Sequence, residues 1–273
     1  MSNEPLETPY WPILMRKDYN APSIFTPQNL LREARRQKGL PEGQVPEICV
    51  LDPDGDLVDH VLEHRQAIPH PTWACYHTTL MTWSEEGIDY GIIGCAVGAP
   101  FAVLVAEELF ASGCKLLLSI TSAGQLVEVE RPPYMVLIDR ALRDEGTSYH
   151  YMPPTPYSFL DPTLREMLYS RWDQAHLPLH IGASWTTDAP FRETETMIRE
   201  GREQGLLAIE MEAAALYAFA SASQYPIICF AHITNQMAQT EGDFEKGAAN
   251  GSVSALSIIR QTARIWRHQN RSA

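Results

Sequence analysis

Positive charge is what this chain has least of: 21 Lys and Arg stand against 34 Asp and Glu, a formal net charge of -13. That deficit argues against nucleic acid as a partner, because a phosphate backbone calls for a basic surface. An anionic small substrate would need a local positive pocket inside a negative surround. Long apolar runs are also missing. None approaches the length of a membrane-crossing helix, so no membrane partner is expected. The start, Met1-Ser2-Asn3-Glu4, has neither the basic segment nor the apolar stretch of a secretory signal. Cysteine is scarce and odd in number: Cys49, Cys75, Cys95, Cys114 and Cys229 are widely spaced, mostly inside apolar runs. They read as reduced core thiols, not as a disulfide framework. Internal repeats and low-complexity tracts are absent too. The expectation is a soluble, cytoplasmic, globular protein, and the 45% apolar and 20% charged composition agrees with it.

What is present suits one large α/β domain, since 273 residues can bury a sizeable core. Residues 1–45 hold Pro, Asn and Gln, the pair Tyr10-Trp11 and one short helical candidate, Gln28–Lys38. They read as an arm packed on the domain or on a neighbouring subunit, with the domain proper at 46–273. From there short, nearly continuous apolar runs recur at 47–51, 90–97, 115–121, 134–139, 179–185, 206–211 and 226–234. Unalternated runs of that length predict strands buried on both faces. Segments of helical period lie between several of them: Phe101–Ser112, Pro162–Ala175, Glu193–Gly201 and Glu212–Ser223, with Ser252–Arg267 as a closing helix. The alternation predicts a central mixed, largely parallel sheet flanked by helices in a single domain. Ligand sites in such sheets gather at the carboxyl ends of strands.

The richest stretch for chemistry is Ala208-Ile209-Glu210-Met211-Glu212-Ala213-Ala214-Ala215. In extended backbone residues i and i+2 share a side, so Glu210 and Glu212 are expected to face one pocket at a strand end. Carboxylates in apolar surroundings need hydrogen-bond donors, and the adjacent hydroxyls of a ribose would supply two. A charged helix start is the plainer alternative. Gly98 stands between a strand-like run and Pro100, where a helix N-terminus turns N–H groups toward an anion. Phe191-Arg192-Glu193 could read a nucleobase, the ring by stacking and the two polar groups at its edges; a solvated helix entry is the alternative. His60-Val61-Leu62-Glu63-His64 matches the inverted zinc-peptidase spacing; it reads better as a partly exposed helix face, and no metal is expected. His180 and His232 sit in apolar runs as core histidines, and Trp73, Trp83 and Trp185 as packing residues.

Five stretches in register resemble the nucleoside phosphorylase family that includes uridine phosphorylase and hexameric purine nucleoside phosphorylase. They are the Glu210-Met211-Glu212 segment, Gly94–Pro100, Leu118–Gly124, Arg143–Tyr151 and Thr186–Thr194, the last like a uridine-phosphorylase branch. The resemblance spans roughly residues 47 to 236. It implies that Glu210, Met211 and Glu212 hold ribose, and that Phe191, Arg192 and Glu193 meet the base. Gly98, Ser122, Arg143 and His77 then fall on the phosphate side, with Glu212, Asn235 and Arg192 as the catalytic set. It also implies inorganic phosphate as co-substrate, no cofactor, and a homo-oligomer, a dimer or trimer of dimers, with the neighbour completing the pocket.

Two departures bear on the reaction. Asn235 falls where purine phosphorylases carry an acidic proton donor, and an amide cannot protonate a leaving base. That leans toward pyrimidine nucleosides. The early Asp-Pro loop, Leu51-Asp52-Pro53-Asp54-Gly55-Asp56-Leu57, has no arginine, and Ser119 falls where a second family arginine belongs. Each lost charge-assisted bond to phosphate is worth roughly 1.5–3 kcal/mol. Either Arg65, Arg143, Arg192 or His77 substitutes, or water is the nucleophile. Three activities therefore stand open: pyrimidine-nucleoside phosphorolysis first, a nucleosidase second, and a nucleoside-binding or storage protein without turnover third.

Overall fold

The computed structural model of the chain describes residues 12–14, 17–237 and 241–271. In chain order its elements are α1 (Pro27–Lys38), β1 (Ile48–Asp52), α2 (Asp56–His64), β2 (Ile68–Pro69), β3 (Met81–Glu85), β4 (Ile88–Gly94) and α3 (Ala99–Ala111). There follow β5 (Leu116–Gln125), β6 (Tyr134–Asp144), β7 (Tyr157–Phe159), α4 (Pro162–Tyr169), β8 (His180–Thr187), α5 (Glu195–Glu203), β9 (Leu206–Glu210), α6 (Ala213–Ser223), β10 (Ile227–Asn235) and α7 (Ser252–Arg271).

Every predicted apolar run forms a strand, most of them buried on both faces: all five residues of β1 and all nine of β10 are buried. The strands make one mixed sheet in the order β10-β6-β8-β9-β5-β1-β4-β3-β2, and β10 also pairs with β5. The ten-residue β5 makes this possible. Its first half pairs in parallel with β1, its last two residues pair antiparallel with β9, and β10 runs along its other side. Strands β5, β9, β8, β6 and β10 thereby close into a ring, with β1, β4, β3 and β2 as an open extension.

Among the helices, α1, α3 and α6 pack in one group and α2 and α4 pack on α7, while α5 lies against β9. Helices α3 and α6 are apolar nearly all round and are deeply buried. From the expected arm, α1 lies against the domain's own α3, with Leu31 and Ala34 packed on Ala74 and Ala111; Tyr10-Trp11 lies outside the described residues. The predicted helix at 162–175 stops at Tyr169. Beyond it Gln174 bonds both the N–H and the carbonyl of Leu179, and Asp173 takes the N–H of His176, so side chains replace the helical ladder. The edge strands β2 and β7, and β3 beside β2, carry no continuous apolar run and had no signal in the sequence.

Candidate active site

The carboxyl ends of β1, β5, β9 and β10 converge, and part of the predicted polar set gathers there, Glu210, Glu212 and Ser122 among them. Glu210 is the last residue of β9, after which Met211 and Glu212 turn into α6. Glu210 is held by its own fold. One carboxyl oxygen accepts from the hydroxyls of Ser184 and Thr186, at 2.9 and 2.5 Å. The other accepts the N–H groups of Glu212 and Ala213, both at 2.7 Å. The side chain thus ties β8 to the unsatisfied N–H groups opening α6. The expectation that it would share the ribose with Glu212 is corrected on that ground: its acceptor sites are filled by its own fold.

Glu212 is different. It is 1% exposed, its Oε1 accepts the N–H of Gly98 at 2.7 Å, and its Oε2 has no partner among the described residues. Burial, and then the neighbouring Glu210, push its pKa up to about 8; the Gly98 N–H and the Thr121 side chain pull the other way. Gly98 must be glycine here, since its φ of 87° is a left-handed value that strains other residues. Its N–H, expected on an anion, is spent on Glu212.

The phosphate side assembles differently from the expectation. A hollow of about 20 Å³ lies among Asp52, Asp54, Thr121, Ser122, His232 and Asn250. Ser122 donates its hydroxyl to Asp54. Lys246 bridges Asp54 at 3.1 Å and Asp56 at 2.5 Å, and Asn250 donates to Asp56 at 3.0 Å. Asp52 is 4% exposed and accepts the Val58 N–H in the first turn of α2; burial raises its pKa to about 7. His232 is buried against Gly251, where a Cβ would come within 2.1 Å of the ring, and burial lowers its pKa so that it stays neutral. Arg143 is elsewhere engaged. It is 5% exposed and donates to Ser148, Thr155 and the carbonyls of Met152 and Pro153, with Tyr149 against its face. It organises the segment after β6 and brings no charge to the hollow. His77 is exposed beyond α1, its N–H on the Cys75 sulfur, and does not join either.

On the opposite side, Asn235 ends β10 with its amide committed to the Thr234 hydroxyl and the Met237 N–H. Phe191 is 99% exposed and Arg192 is also exposed, so neither contacts a pocket in this state. Glu193 is half-buried, and desolvation raises its pKa to about 7. Met211 is half-buried beside Glu212. His60 and His64 stack on the outer part of α2, and no group of three metal-binding side chains exists among the described residues. His232 is a core residue as expected; His180 instead is partly exposed and pairs with Glu130 at 3.0 Å.

Sequence reasoning missed Thr121, Ser184, Thr186 and Lys246. The two threonines and the serine lie within strand runs whose partners depend on the ring closure. Lys246 meets Asp54 and Asp56 across some 190 residues, and nothing local marks it.

The architecture is a ring-closed mixed sheet flanked by helices, with a Glu-Met-Glu corner at the end of β9. The family model described as the phosphorylase superfamily matches residues 47–264, so the chain belongs to that superfamily. Similar curated proteins include a guanosine phosphorylase from Halorubrum lacusprofundi, 27% identical over 188 residues, covering 66% of this chain and 74% of that protein. A purine nucleoside phosphorylase DeoD-type from Exiguobacterium sp. is 25% identical, covering 67% of this chain and 78% of that protein. Among solved structures, a uridine phosphorylase from Vibrio fischeri ES114 superposes with a TM-score of 0.68 at 17% identity, covering 81% of this chain and 93% of that one. That likeness establishes the same fold.

Proposed function

We propose that this protein cleaves the N-glycosidic bond of a nucleoside, with Glu212 gripping the ribose. The observation that carries the reading is Glu212 Oε2: a buried carboxyl oxygen with no hydrogen-bond partner among the described residues, beside a neighbour whose oxygens are all satisfied. A sugar hydroxyl is the donor such an atom calls for. Cleavage builds positive charge on the sugar, which a carboxylate at its edge stabilises. Asn235, on the base side, can donate or accept but cannot protonate, and this supports a pyrimidine-type base over a purine.

The relatives' names make phosphate the first expectation for the nucleophile, giving free base and ribose 1-phosphate. Hydrolysis is the second reading, and one observation favours it: the hydroxyl of Ser122, the N–H of Gly98 and the guanidinium of Arg143 are all committed to protein acceptors. The reading calls for no metal or organic cofactor and for a homo-oligomer. The test is release of free base from uridine, thymidine, inosine and adenosine, each with and without phosphate. Glu212→Ala should weaken nucleoside binding and abolish release; unchanged turnover in that variant would refute the ribose assignment.

A further inference from the structure

Resting on the nucleoside reading above, with phosphate as its second substrate, we infer that Lys246 is the cation that binds the phosphate and that Asp54 is an internal stand-in, a carboxylate that occupies the anion's donors until the anion displaces it. The donor set comes first. One oxygen of Asp54, Oδ2, accepts both the Ser122 hydroxyl and the Lys246 ammonium. A hydroxyl of β5 and an ammonium from the segment before α7 therefore converge on one point beside the carboxyl end of β1. A phosphate oxygen accepts that same pair of donors. The N-terminus of α2, capped by Gly55, opens at the same place and favours an anion there.

Asp54 is placed to leave. It is exposed at the turn between β1 and α2, and its side chain is bonded only to Ser122 and Lys246 among the described residues. Asp56 is placed to stay. Its carboxylate holds Lys246 at 2.5 Å and the Asn250 amide at 3.0 Å, and its carbonyl accepts the Ser252 hydroxyl at 3.2 Å. An ammonium has three N–H donors, so Lys246 can keep Asp56 and turn another donor to phosphate. Rotation of Asp54 into water frees a hydroxyl and an ammonium together, and the Asp56 anchor stays intact.

Charge decides between Lys246 and the other candidates. Arg143 is enclosed by its own loop, and His77 stands apart. Among the described residues Lys246 is the one lysine or arginine bonded to a side chain lining the hollow. Burial works against its charge, but Asp56 and Asp54 outweigh burial and raise its pKa, so it is an ammonium at neutral pH. Burial raises Asp52 to about 7, so it is only partly ionised there. Asp56 is offset by Lys246 and Asn250. Asp54 is then the carboxylate that both competes for the donors and repels an incoming anion.

A brace between α2 and the segment before α7 would need only the Asp56 contacts. The second contact of Lys246, to an exposed carboxylate, adds little to stability. It is what a stand-in requires, because it joins the ammonium to the Ser122 hydroxyl through one removable oxygen. Phosphate then binds below its intrinsic affinity, reduced by the fraction of molecules in which Asp54 has turned out.

The test titrates inorganic phosphate into the full-length protein by calorimetry and follows base release against phosphate concentration with the nucleoside cleaved fastest. Asp54→Ala should lower the phosphate Kd and KM about fivefold or more and leave the nucleoside KM within about twofold. Lys246→Met should raise the phosphate Kd about tenfold or more, and Lys246→Arg should restore it to within about threefold. Circular dichroism checks that each variant is folded, and Asp54→Ala, at an exposed turn, keeps the test decisive if Lys246→Met is not. Unchanged or weaker phosphate binding in Asp54→Ala would overturn the stand-in role. Unchanged binding in folded Lys246→Met would overturn the cation role. Base release that is independent of phosphate, with free ribose as product, would overturn the inference and leave the nucleoside reading standing. Phosphate binding with the expected response to these variants, but no nucleoside bound or cleaved, would sink the nucleoside reading and leave the anion site standing.

Discussion

Replacing Glu212 by glutamine separates what this carboxyl costs the fold from what it gives the ligand. In the unliganded protein it is almost inaccessible, and its pKa is pushed up to about 8, chiefly by burial and next by Glu210. The unfolded chain ionises at the ordinary glutamate value, so above that value it holds fewer protons than the folded protein. The stability contributed by this group is therefore complete below the ordinary glutamate range and is lost as pH rises toward 8. The slope is about 1.4 kcal/mol per pH unit. Between about pH 5.5 and about pH 7.5 the loss is then roughly 2–3 kcal/mol. In melting temperature that is about 5–10 °C for a domain of this size. Glutamine cannot ionise, yet it keeps an oxygen for the Gly98 N–H. Glu212→Gln should therefore melt above the wild type by a margin that widens as pH rises. Asp52 and Glu193, also raised to about 7, tilt both profiles alike and cancel in the difference. Thermal melts of both proteins followed by circular dichroism across this range measure it. Parallel profiles would refute the reasoning, because they would mean that Glu212 is solvated and ordinary. The same variant should bind nucleoside more weakly, since a sugar diol is held best by the ionised carboxylate.

Two further outcomes follow from the side chains around it. Glu210→Ala strands four donors, the hydroxyls of Ser184 and Thr186 and the N–H groups of Glu212 and Ala213. It should cost about 3–5 kcal/mol in urea unfolding, and a loss under about 1 kcal/mol would show those donors satisfied without it. Of the five cysteines only Cys95 is exposed, so a thiol reagent should modify one sulfur rapidly in the native protein and the other four only after unfolding.

How far the sequence could be read depended on how locally each feature is determined. The buried strands were legible because a run such as Ile48–Asp52 or Ile227–Asn235 has no polar face to offer solvent. Helix α3 was legible from Pro100 in its first turn and α6 from its alanine-rich run, although both are apolar nearly all round and have little amphipathic period. The ring closure was not, because β5 must pair with β1, β9 and β10 at once, and no single segment encodes that register. The same non-locality hid the partners of the charged groups. Arg143 reads in sequence as an available cation. In the fold its own following loop, through Ser148, Met152, Pro153 and Thr155, supplies acceptors that consume its donors.

The Glu-Met-Glu corner shows most directly where a spacing rule ends. Two residues share a face only while the backbone between them stays extended, and here the strand stops at Glu210. Met211 takes the first non-strand position, and Glu212, with φ of -130° and ψ of -39°, is the cap that opens α6. The chain has then turned its own N–H groups back toward Glu210, and an anion at a helix N-terminus is where that carboxylate is most stable. The turn also carries Glu212 toward Gly98 on a different element, where one N–H satisfies half the carboxyl. Glu210 fixes the corner and Glu212 inherits the orphaned oxygen. A ligand-binding acceptor can remain unsatisfied at such a depth only because its neighbour is over-satisfied by the fold. Any substitution that loosens Glu210 should therefore weaken sugar binding before it unfolds the protein.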